Sequence, residues 1–573
     1  MKRATIVCAL LLSVFTLASS GQGRFSVVEA TIPAMQAAMA KGQLTSRQLV
    51  EQYLIRIAIY EDQLNAALAV NADALKEADA LDRERAQGKI RGPLHGIPVA
   101  LKDNIHTTNM PTTGGALAFA GYVPPYEATL TTHLTAAGAI IIAKTGLTEL
   151  ANWVAGNPNA MPGNYNAVGG FAFNPYDPRP DPRPEPGDGR PVLGTGGSSS
   201  GIGTAANLWA ASVGSDTGGS VISPSNANML VGIRPTIGRI SRHGVIPITA
   251  DHDTAGPMTR TVADAAIMLG AMEGAAPDPN DAATRTCTPP PGRDYTEFLN
   301  AGALKGARIG VPRAFYIDAV VLPRQPQEGV ASTATPRGGI SADQAKVMAE
   351  AIAVLRQQGA TVVDPADLPS FVATSANDSF PLFDYCSGAE HAKGRDSGCT
   401  IGFKYGMKRD FNAWLASLGA SAPVKTLTEL RNWNLAHAKA NAIRFQQSRL
   451  DISDEIDLVA DKARYEADHA KDHRLSREQG IDGVLKAHAL DAILTPGGSG
   501  AGVAARAGYP IIAVPFATVP NAPNQPFPAG FVARPAPYGV GFVGAQCSEP
   551  RLIALAYAFE QATRKRVPPA ATP

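Results

Sequence analysis

The chain has 573 residues, of which 45% are hydrophobic and 18% charged, so it holds enough apolar side chains for a large buried core. Its 51 basic and 50 acidic residues leave a net charge of +1 at pH 7, which argues against nucleic acid or an anionic membrane as the partner. A small or neutral molecule is therefore the expected ligand.

The first twenty residues have the pattern of a secretory signal peptide. Lys2 and Arg3 supply positive charge, residues 4–18 form a short apolar run, and Ala18 and Ser20 fit the small-residue positions before a cleavage site. The apolar run is too short to span a bilayer comfortably. We expect residues 1–20 to be removed, and the mature chain to be secreted or periplasmic without membrane association.

Four cysteines remain after that segment: Cys287, Cys386, Cys399 and Cys547. An even count in an oxidising compartment permits disulfides. Cys386 and Cys399 flank a short loop rich in glycine and charge, and they form the best candidate pair; the alternative is two free thiols. The spacing of cysteines and histidines does not match a zinc site.

The predicted elements begin with a helix near Thr45, where Thr45 and Gln48 form a capping box and Leu44 and Leu49 a hydrophobic staple. There follow, in chain order, a helix over 72–87, a strand over 97–101, a helix over 129–137, a strand over 139–143, a helix over 201–211, a strand over 308–311, a helix over 342–358, strands over 360–363, 492–494 and 539–543, and a helix over 549–562. This alternation predicts an α/β fold around one mostly buried sheet.

Three segments interrupt the pattern. Residues 174–194 carry seven prolines, which predicts an exposed, extended loop. Residues 333–339 and the tail 568–573 are also expected to be loose.

Two glycine-rich turns, at residues 196–201 and 215–220, and a lysine at the end of an apolar strand, Lys102, carry the chemistry. Glycine allows positive φ, so such a turn can present a serine hydroxyl and direct backbone N–H groups at a developing oxyanion. A lysine acts as a base only when neutral, and burial lowers its pKa because it disfavours the charged form. Lysine and two serines are therefore a candidate set for amide hydrolysis.

These motifs together resemble the amidase signature family of serine hydrolases. The matching stretches are 96–104, 197–201, 214–220, 232–236, 238–241, 256–258, 507–510 and 539–544. The resemblance covers nearly the whole mature chain and is weakest at 365–480. It implies one α/β domain over 25–567, with core motifs at 95–260 and a central mixed β-sheet covered by helices on both faces.

The resemblance also implies the catalytic roles. Ser220 is the nucleophile that accepts the acyl group, and Lys102 is the general base. Ser198 bridges the two and follows a cis peptide after Gly197. No metal or organic cofactor is required.

Supporting roles are implied for neighbouring groups. Ser199 and Asp216 hold the two turns by hydrogen bonds. The oxyanion hole is formed by the backbone N–H groups of Thr217, Gly218, Gly219 and Ser220.

Within the family, the segments 147–153, 198–201, 205–208 and 253–258 are most similar to bacterial peptide amidases. Those enzymes release ammonia from C-terminal peptide amides, so a small amide or short peptide amide is the expected substrate. The oligomeric state is left open.

The chain departs from the family pattern in two places. Ser198 and Ser220 are 22 positions apart, two fewer than the family pattern, and the shortfall lies within 202–204. The proline-rich loop before Ser198 is also longer than usual.

Other functions fit some of these residues. An aryl or fatty-acid amide hydrolase is an alternative within the family, as is an amidotransferase subunit, although a secretion signal argues against the latter. Outside it, residues 197–201 satisfy the G-x-S-x-G elbow of an α/β-hydrolase esterase with Ser199 as nucleophile. A catalytically dead amide-binding protein is the non-enzyme alternative.

Overall fold

The computed structural model describes residues 25–185, 187–322 and 335–573. The predicted signal peptide lies outside these residues. The strands are β1 Ala67–Val70, β2 Pro98–Lys102, β3 Ile140–Thr145, β4 Tyr165–Asn166, β5 Gly170–Phe171, β6 Ala211–Asp216, β7 Val231–Arg234, β8 Thr254–Thr259, β9 Arg308–Gly310, β10 Val320–Leu322, β11 Thr335–Arg337, β12 Thr361–Val363, β13 Ala492–Pro496, β14 Ile511–Val519 and β15 Ala536–Val543.

Eleven of these strands form one sheet in the order β1-β3-β2-β6-β8-β7-β14-β15-β13-β9-β12. The edge strand β1 runs antiparallel to β3. The pairs β3–β2, β2–β6, β13–β9 and β9–β12 are parallel, whereas the central pairs are antiparallel. The predicted single α/β domain with a central mixed sheet is confirmed.

The helices lie between and around these strands. They are α1 Ile32–Ala40, α2 Ser46–Leu64, α3 Ala74–Ala86, α4 Thr129–Ala136, α5 Glu149–Asn152, α6 Ser199–Ala205, α7 Ile222–Ala227, α8 Val262–Met272, α9 Ala342–Gln357, α10 Pro369–Val372, α11 Gly402–Ser417, α12 Leu427–Ala436, α13 Ser448–Asp454, α14 Lys462–Ser476, α15 Asp482–His488, α16 Ala501–Ala507 and α17 Glu549–Thr563. Helix α2 begins with the predicted capping box between Thr45 and Gln48.

Both faces of the sheet are covered, as the side chains of β14 show. Ile512 and Val514 belong to the largest apolar cluster, which includes residues of α2, α8 and α17. Ile511 and Ala513 belong to a different cluster, built with α16 and α7. Because successive residues of a strand point to opposite faces, the two clusters lie on opposite sides of the sheet.

The helix predicted over 201–211 is wrong in its second half. Helix α6 ends at Ala205, Asn207 takes a left-handed conformation (φ 56°), and β6 begins at Ala211. The indole of Trp209 lies against Gly203, where an added Cβ would be 2.0 Å from the ring, and its Nε1 donates to Thr204 Oγ1. The buried indole therefore occupies the space in which the helix would continue.

Two of the three segments expected to be loose or exposed are fastened to the body. In the third, residues 333–334 lie outside the described residues, and residues 335–337 form β11. In the loop 174–194, Asp177 and Asn174 are buried, and Asn174 Nδ2 donates to Gly194 O. In the tail 568–573, the Arg56 guanidinium donates to the carbonyl oxygens of Thr572 and Pro573. Side-chain donors matched to backbone acceptors, from Asn174 in the loop and from Arg56 at the tail, hold the described residues of both segments in place.

The four described cysteines form two disulfides. The predicted Cys386–Cys399 pair is confirmed, and a second bond joins Cys287 to Cys547. Among the described residues, no helix combines the length and apolar character needed to cross a membrane.

Candidate active site

Lys102 is the last residue of β2, inside the sheet between β3 and β6, and its side chain is completely buried. Its Nζ donates to the carbonyl oxygen of Ser215 at 3.1 Å and to Ser215 Oγ at 2.9 Å. Burial lowers the pKa of Lys102 to about 8, although the nearby carboxylates of Asp216 and Asp253 favour the charged form. Lys102 can therefore lose its proton near neutral pH and act as a base.

Ser198 lies at the start of α6, where it is buried and serves as the N-cap. Its Oγ accepts from the backbone N–H of Ser200 at 3.4 Å, and the preceding Gly197 carbonyl accepts from Thr148 N at 3.1 Å. Gly196 and Gly197 have φ values of +75° and +90°, which favour glycine. The turn is thus fixed by its glycines and by contacts to the residues that follow β3.

The expected cis peptide between Gly197 and Ser198 is not found. In the described chain, cis bonds precede Pro158 and Pro365 alone. The described residues also show no hydrogen bond from Ser198 Oγ to Lys102 or to Ser220, so the structure does not bring the three side chains into one relay.

Ser199 and Ser200 anchor the first turn to the strand beside Lys102. Ser199 N donates to Gly146 O at 2.9 Å, and Asn164 Nδ2 donates to Ser199 Oγ at 3.1 Å. Ser200 Oγ lies 2.7 Å from the hydroxyl of Thr145, the residue that pairs with Lys102 across β2 and β3. Ser199 is fully buried beneath the turn, which does not suit the exposed nucleophile of an esterase elbow.

The second turn is organised by Asp216. One carboxylate oxygen accepts from Gly219 N at 2.8 Å and from Arg234 Nη1 at 2.7 Å, and the other accepts from Val221 N at 2.7 Å. Neither charged side chain is exposed. A buried carboxylate that is paired and fully hydrogen-bonded holds the residues before and after Ser220 in place.

The four N–H groups of the predicted oxyanion hole are not equivalent. The N–H of Gly219 is already bonded to Asp216. Within the described residues, the N–H groups of Thr217, Gly218 and Ser220 have no hydrogen-bond acceptor. Three donors on one short turn could therefore stabilise an oxyanion.

Ser220 opens into a pocket of about 400 Å³. The pocket wall is formed by the two serine turns, a left-handed turn at the end of α5 and the end of the proline-rich loop. Its lining residues are Thr148, Ala151, Asn152, Pro162, Gly163, Arg190, Pro191, Gly194, Thr195, Gly196, Gly197, Gly218, Gly219, Ser220 and Ser223. Ser220 is half-buried in this wall, accessible to a ligand.

Sequence reasoning missed several residues of this site. Ser215 contacts Lys102, and Asn104 Nδ2 donates to the same Ser215 Oγ at 2.9 Å. Both residues lie inside motifs that the sequence analysis singled out. Their positions, near the end of β6 and just after β2, are the sequence feature that could have identified them. Asn152 and Arg190 reach the pocket from a turn and a long loop whose path the sequence does not indicate.

Comparisons with known proteins identify the family of the chain. The Amidase family model matches residues 48–553. A probable amidase of Arabidopsis thaliana is 33% identical over 552 residues, which are 95% of this chain and 92% of the relative.

Solved structures are similar over the same extent. The peptide amidase of Stenotrophomonas maltophilia has a TM-score of 0.77 at 33% identity, covering 95% of this chain and 99% of that one. A peptide amidase in complex with the competitive inhibitor chymostatin has a TM-score of 0.76 at 34% identity, covering 95% and 100%. The chain belongs to the amidase family, and it is an amidohydrolase.

Proposed function

We propose that this amidase hydrolyses the C-terminal carboxamide of short peptides to the free acid and ammonia, with Ser220 as nucleophile and Lys102 as base. The observation that carries the proposal is the wholly buried Lys102, with a pKa lowered to about 8, which donates to Ser215 at the start of the turn whose Ser220 opens into a pocket. Full-length similarity to peptide amidases supports the choice of substrate.

In the proposed reaction, Ser220 Oγ attacks the carboxamide carbon and gives its proton, through a bridging hydroxyl, to neutral Lys102. The N–H groups of Thr217, Gly218 and Ser220 stabilise the oxyanion. The proton returns to the departing nitrogen, so ammonia leaves and an ester to Ser220 Oγ remains. Water, deprotonated by the same route, then hydrolyses that ester.

Ser198 is our proposed bridging hydroxyl, as the family resemblance implies. In the present conformation Ser198 caps α6, so its hydroxyl has to turn from Ser200 N toward Lys102 when substrate binds. Ser215 is the competing candidate, because its Oγ already contacts Lys102 at 2.9 Å.

We also propose that the mature enzyme works outside the cytoplasm, in the periplasm or as a secreted protein. The signal-like residues 1–20 and the two disulfides support this location, since such bonds persist in oxidising compartments. Expression with and without residues 1–20, followed by fractionation, tests it. Retention of the full-length chain in the cytoplasm would contradict it.

Ammonia release from an amidated dipeptide tests the proposed activity. Wild type is expected to be active, and Lys102→Ala and Ser220→Ala to be at least about 10³-fold slower. An aryl amide, a fatty-acid amide and an ester serve as comparison substrates. Activity on an aryl or fatty amide alone would reject the peptide substrate, and ester cleavage that survives Ser220→Ala would favour Ser199 as nucleophile.

A further inference from the structure

Arg190 is the one charged side chain in the wall of the Ser220 pocket, as far as the described residues show. It comes from the proline-rich loop 174–194, which is longer than the family pattern. The rest of the wall is built of glycine, proline, alanine, hydroxyl and amide residues. The site therefore has a positive group and no acidic one facing the ligand space.

Three aspartate–arginine pairs with the same two-residue spacing run along this loop. They are Asp177–Arg179, Asp181–Arg183 and Asp188–Arg190, and in each the carboxylate accepts from the Nε and Nη2 edge of the guanidinium. This pairing fixes the plane of each guanidinium and leaves its outer edge available for another acceptor.

The guanidinium groups of the first two arginines contact a neighbouring loop, through hydrogen bonds and through aromatic rings. Arg179 Nη2 donates to Val532 O at 2.9 Å, and Arg183 Nη1 donates to Gln525 O at 3.0 Å. Each guanidinium also lies over a phenylalanine ring of that loop. These two pairs fasten the loop to the protein.

Arg190 differs from them. In the described part of the chain, the hydrogen bonds of its guanidinium go to Asp188 alone, at 2.9 and 2.7 Å, and Nη1 has no acceptor. Two N–H groups of Nη1 beside the second N–H of Nη2 form a fork that matches a carboxylate.

The local charge favours the same ligand. Arg444 Nη2 donates to the carbonyl oxygen of Asp188 at 3.0 Å, so two guanidinium groups lie near one aspartate. The Asp188 carboxylate neutralises one of the two positive charges. The arginines also hold the pKa of Asp188 below its usual value, so it stays ionised.

From this geometry we propose that Arg190 is a specificity-determining residue that binds a carboxylate in the acyl part of the substrate. The preferred substrates are then short peptide amides that carry an acidic side chain near the amide. This inference rests on the proposed peptide amidase function and names a substrate class for it.

The test compares isosteric substrates. The probes are N-acetyl-Glu-Leu amide and N-acetyl-Leu-Glu amide, each against the analogue with Gln in place of Glu. In wild type, kcat/KM is expected to favour one of the Glu peptides about tenfold, because one charge-assisted contact is gained at a partly exposed site. The preference should fall as salt is added.

Two variants test whether the preference for the Glu peptide depends on Arg190. Arg190→Gln is expected to bring the Glu-to-Gln ratio to about one, mainly through KM, while Arg183→Gln, the matched pair outside the pocket, keeps the wild-type ratio. A wild-type ratio of about one for both peptide positions would overturn the proposal. A preference for the Glu peptide that survives Arg190→Gln would also overturn it. So would an equal loss of kcat/KM on the Glu and Gln peptides in Arg190→Gln, because Arg190 would then only shape the pocket wall.

A binding measurement separates this inference from the proposed function. Calorimetry of the same peptides with Ser220→Ala, in the presence and absence of Arg190→Gln, does not depend on hydrolysis. Tighter binding of a Glu peptide that needs Arg190, by about tenfold in Kd, supports the inference even if wild type releases no ammonia. Equal binding of Glu and Gln peptides rejects it even if wild type is a peptide amidase.

Discussion

The lowered pKa of Lys102 reflects a balance between burial and charge. Desolvation favours the neutral amine, whereas the carboxylates of Asp216 and Asp253 favour the ammonium. Asp216 is engaged with Arg234, which reduces its pull on the lysine. Burial raises the pKa of the Asp253 carboxyl to about 7, which weakens the second carboxylate near neutral pH.

The pH profile of kcat/KM follows from this balance. Lys102 accepts a proton only in its neutral form, so the rate should fall about tenfold per pH unit below about pH 8 and level off above it. Initial-rate assays of ammonia release from a peptide amide between pH 4 and 10 measure this acid limb of the profile. A rate that stays constant down to about pH 4 would contradict a neutral-lysine base.

Alanine variants distinguish the two candidate bridging hydroxyls. Ser198→Ala is expected to lower kcat by about 10²–10⁴ without moving the acid limb, because a proton-transfer step is lost. Ser215→Ala is expected to stay active and to shift the limb to lower pH. The reason is that Ser215 Oγ accepts from Lys102, so its removal disfavours the ammonium. The reverse ranking of the two variants would assign the relay to Ser215.

At the scale of elements, the two serine turns are held together by a close backbone approach. Gly196 has a φ of +75°, and a Cβ there would lie 2.3 Å from Pro224 N and 2.4 Å from Pro224 Cα. Pro224 belongs to α7, which follows Ser220. The absence of a side chain at 196 therefore lets the turn before Ser198 pack on the helix that follows Ser220, the proposed nucleophile.

Replacement of Gly196 by alanine tests this contact. We expect Gly196→Ala to lower the free energy of unfolding by about 2–4 kcal/mol, because backbone atoms cannot move away cheaply, and to reduce activity. Gly194→Ala is the control, since a Cβ there meets nothing within 4 Å. Chemical denaturation of both variants measures the difference, and equal stabilities would contradict the contact.

The local sequence pattern predicted most elements, and it failed where a side-chain contact ends the helix. Polar–apolar spacing and capping residues identified α3, α9 and α17 to within two residues at each end, and they identified the start of α2. The helix over 201–211 was predicted too long because the pattern does not reveal that Trp209 packs against Gly203.

At the scale of the whole molecule, the disulfide between Cys287 and Cys547 joins residues 260 positions apart, whereas Cys386 and Cys399 are 13 apart. A cross-link limits the unfolded chain more when the closed loop is longer. Chain-entropy arguments give about 5.5 kcal/mol for the long loop and about 3 kcal/mol for the short one.

Removal of each disulfide separately tests this ranking. The double variant Cys287→Ala/Cys547→Ala is expected to lose more Tm than Cys386→Ala/Cys399→Ala. Differential scanning calorimetry at one scan rate compares them. A larger loss for the 386–399 variant would show that local packing, and not chain entropy, dominates.

The sequence allowed the motifs of the site to be predicted, but not the contacts between their side chains. Lys102 and the two serine turns stand out by residue type, because a lysine after an apolar strand and glycine around serine are local features. Arg190 and the disulfide between Cys287 and Cys547 depend on how distant segments meet, which no local spacing specifies. The contact of the Ser215 hydroxyl with Lys102 likewise depends on the pairing of β2 with β6.

The central claim, an acyl-enzyme at Ser220, is tested most directly by mass spectrometry of enzyme quenched with acid during the first turnovers of a peptide amide. The account predicts an added mass equal to the acyl group on the proteolytic fragment that contains Ser220, and its loss in Ser220→Ala. An acyl adduct on Ser199 or on any other residue, retained in Ser220→Ala, would contradict it.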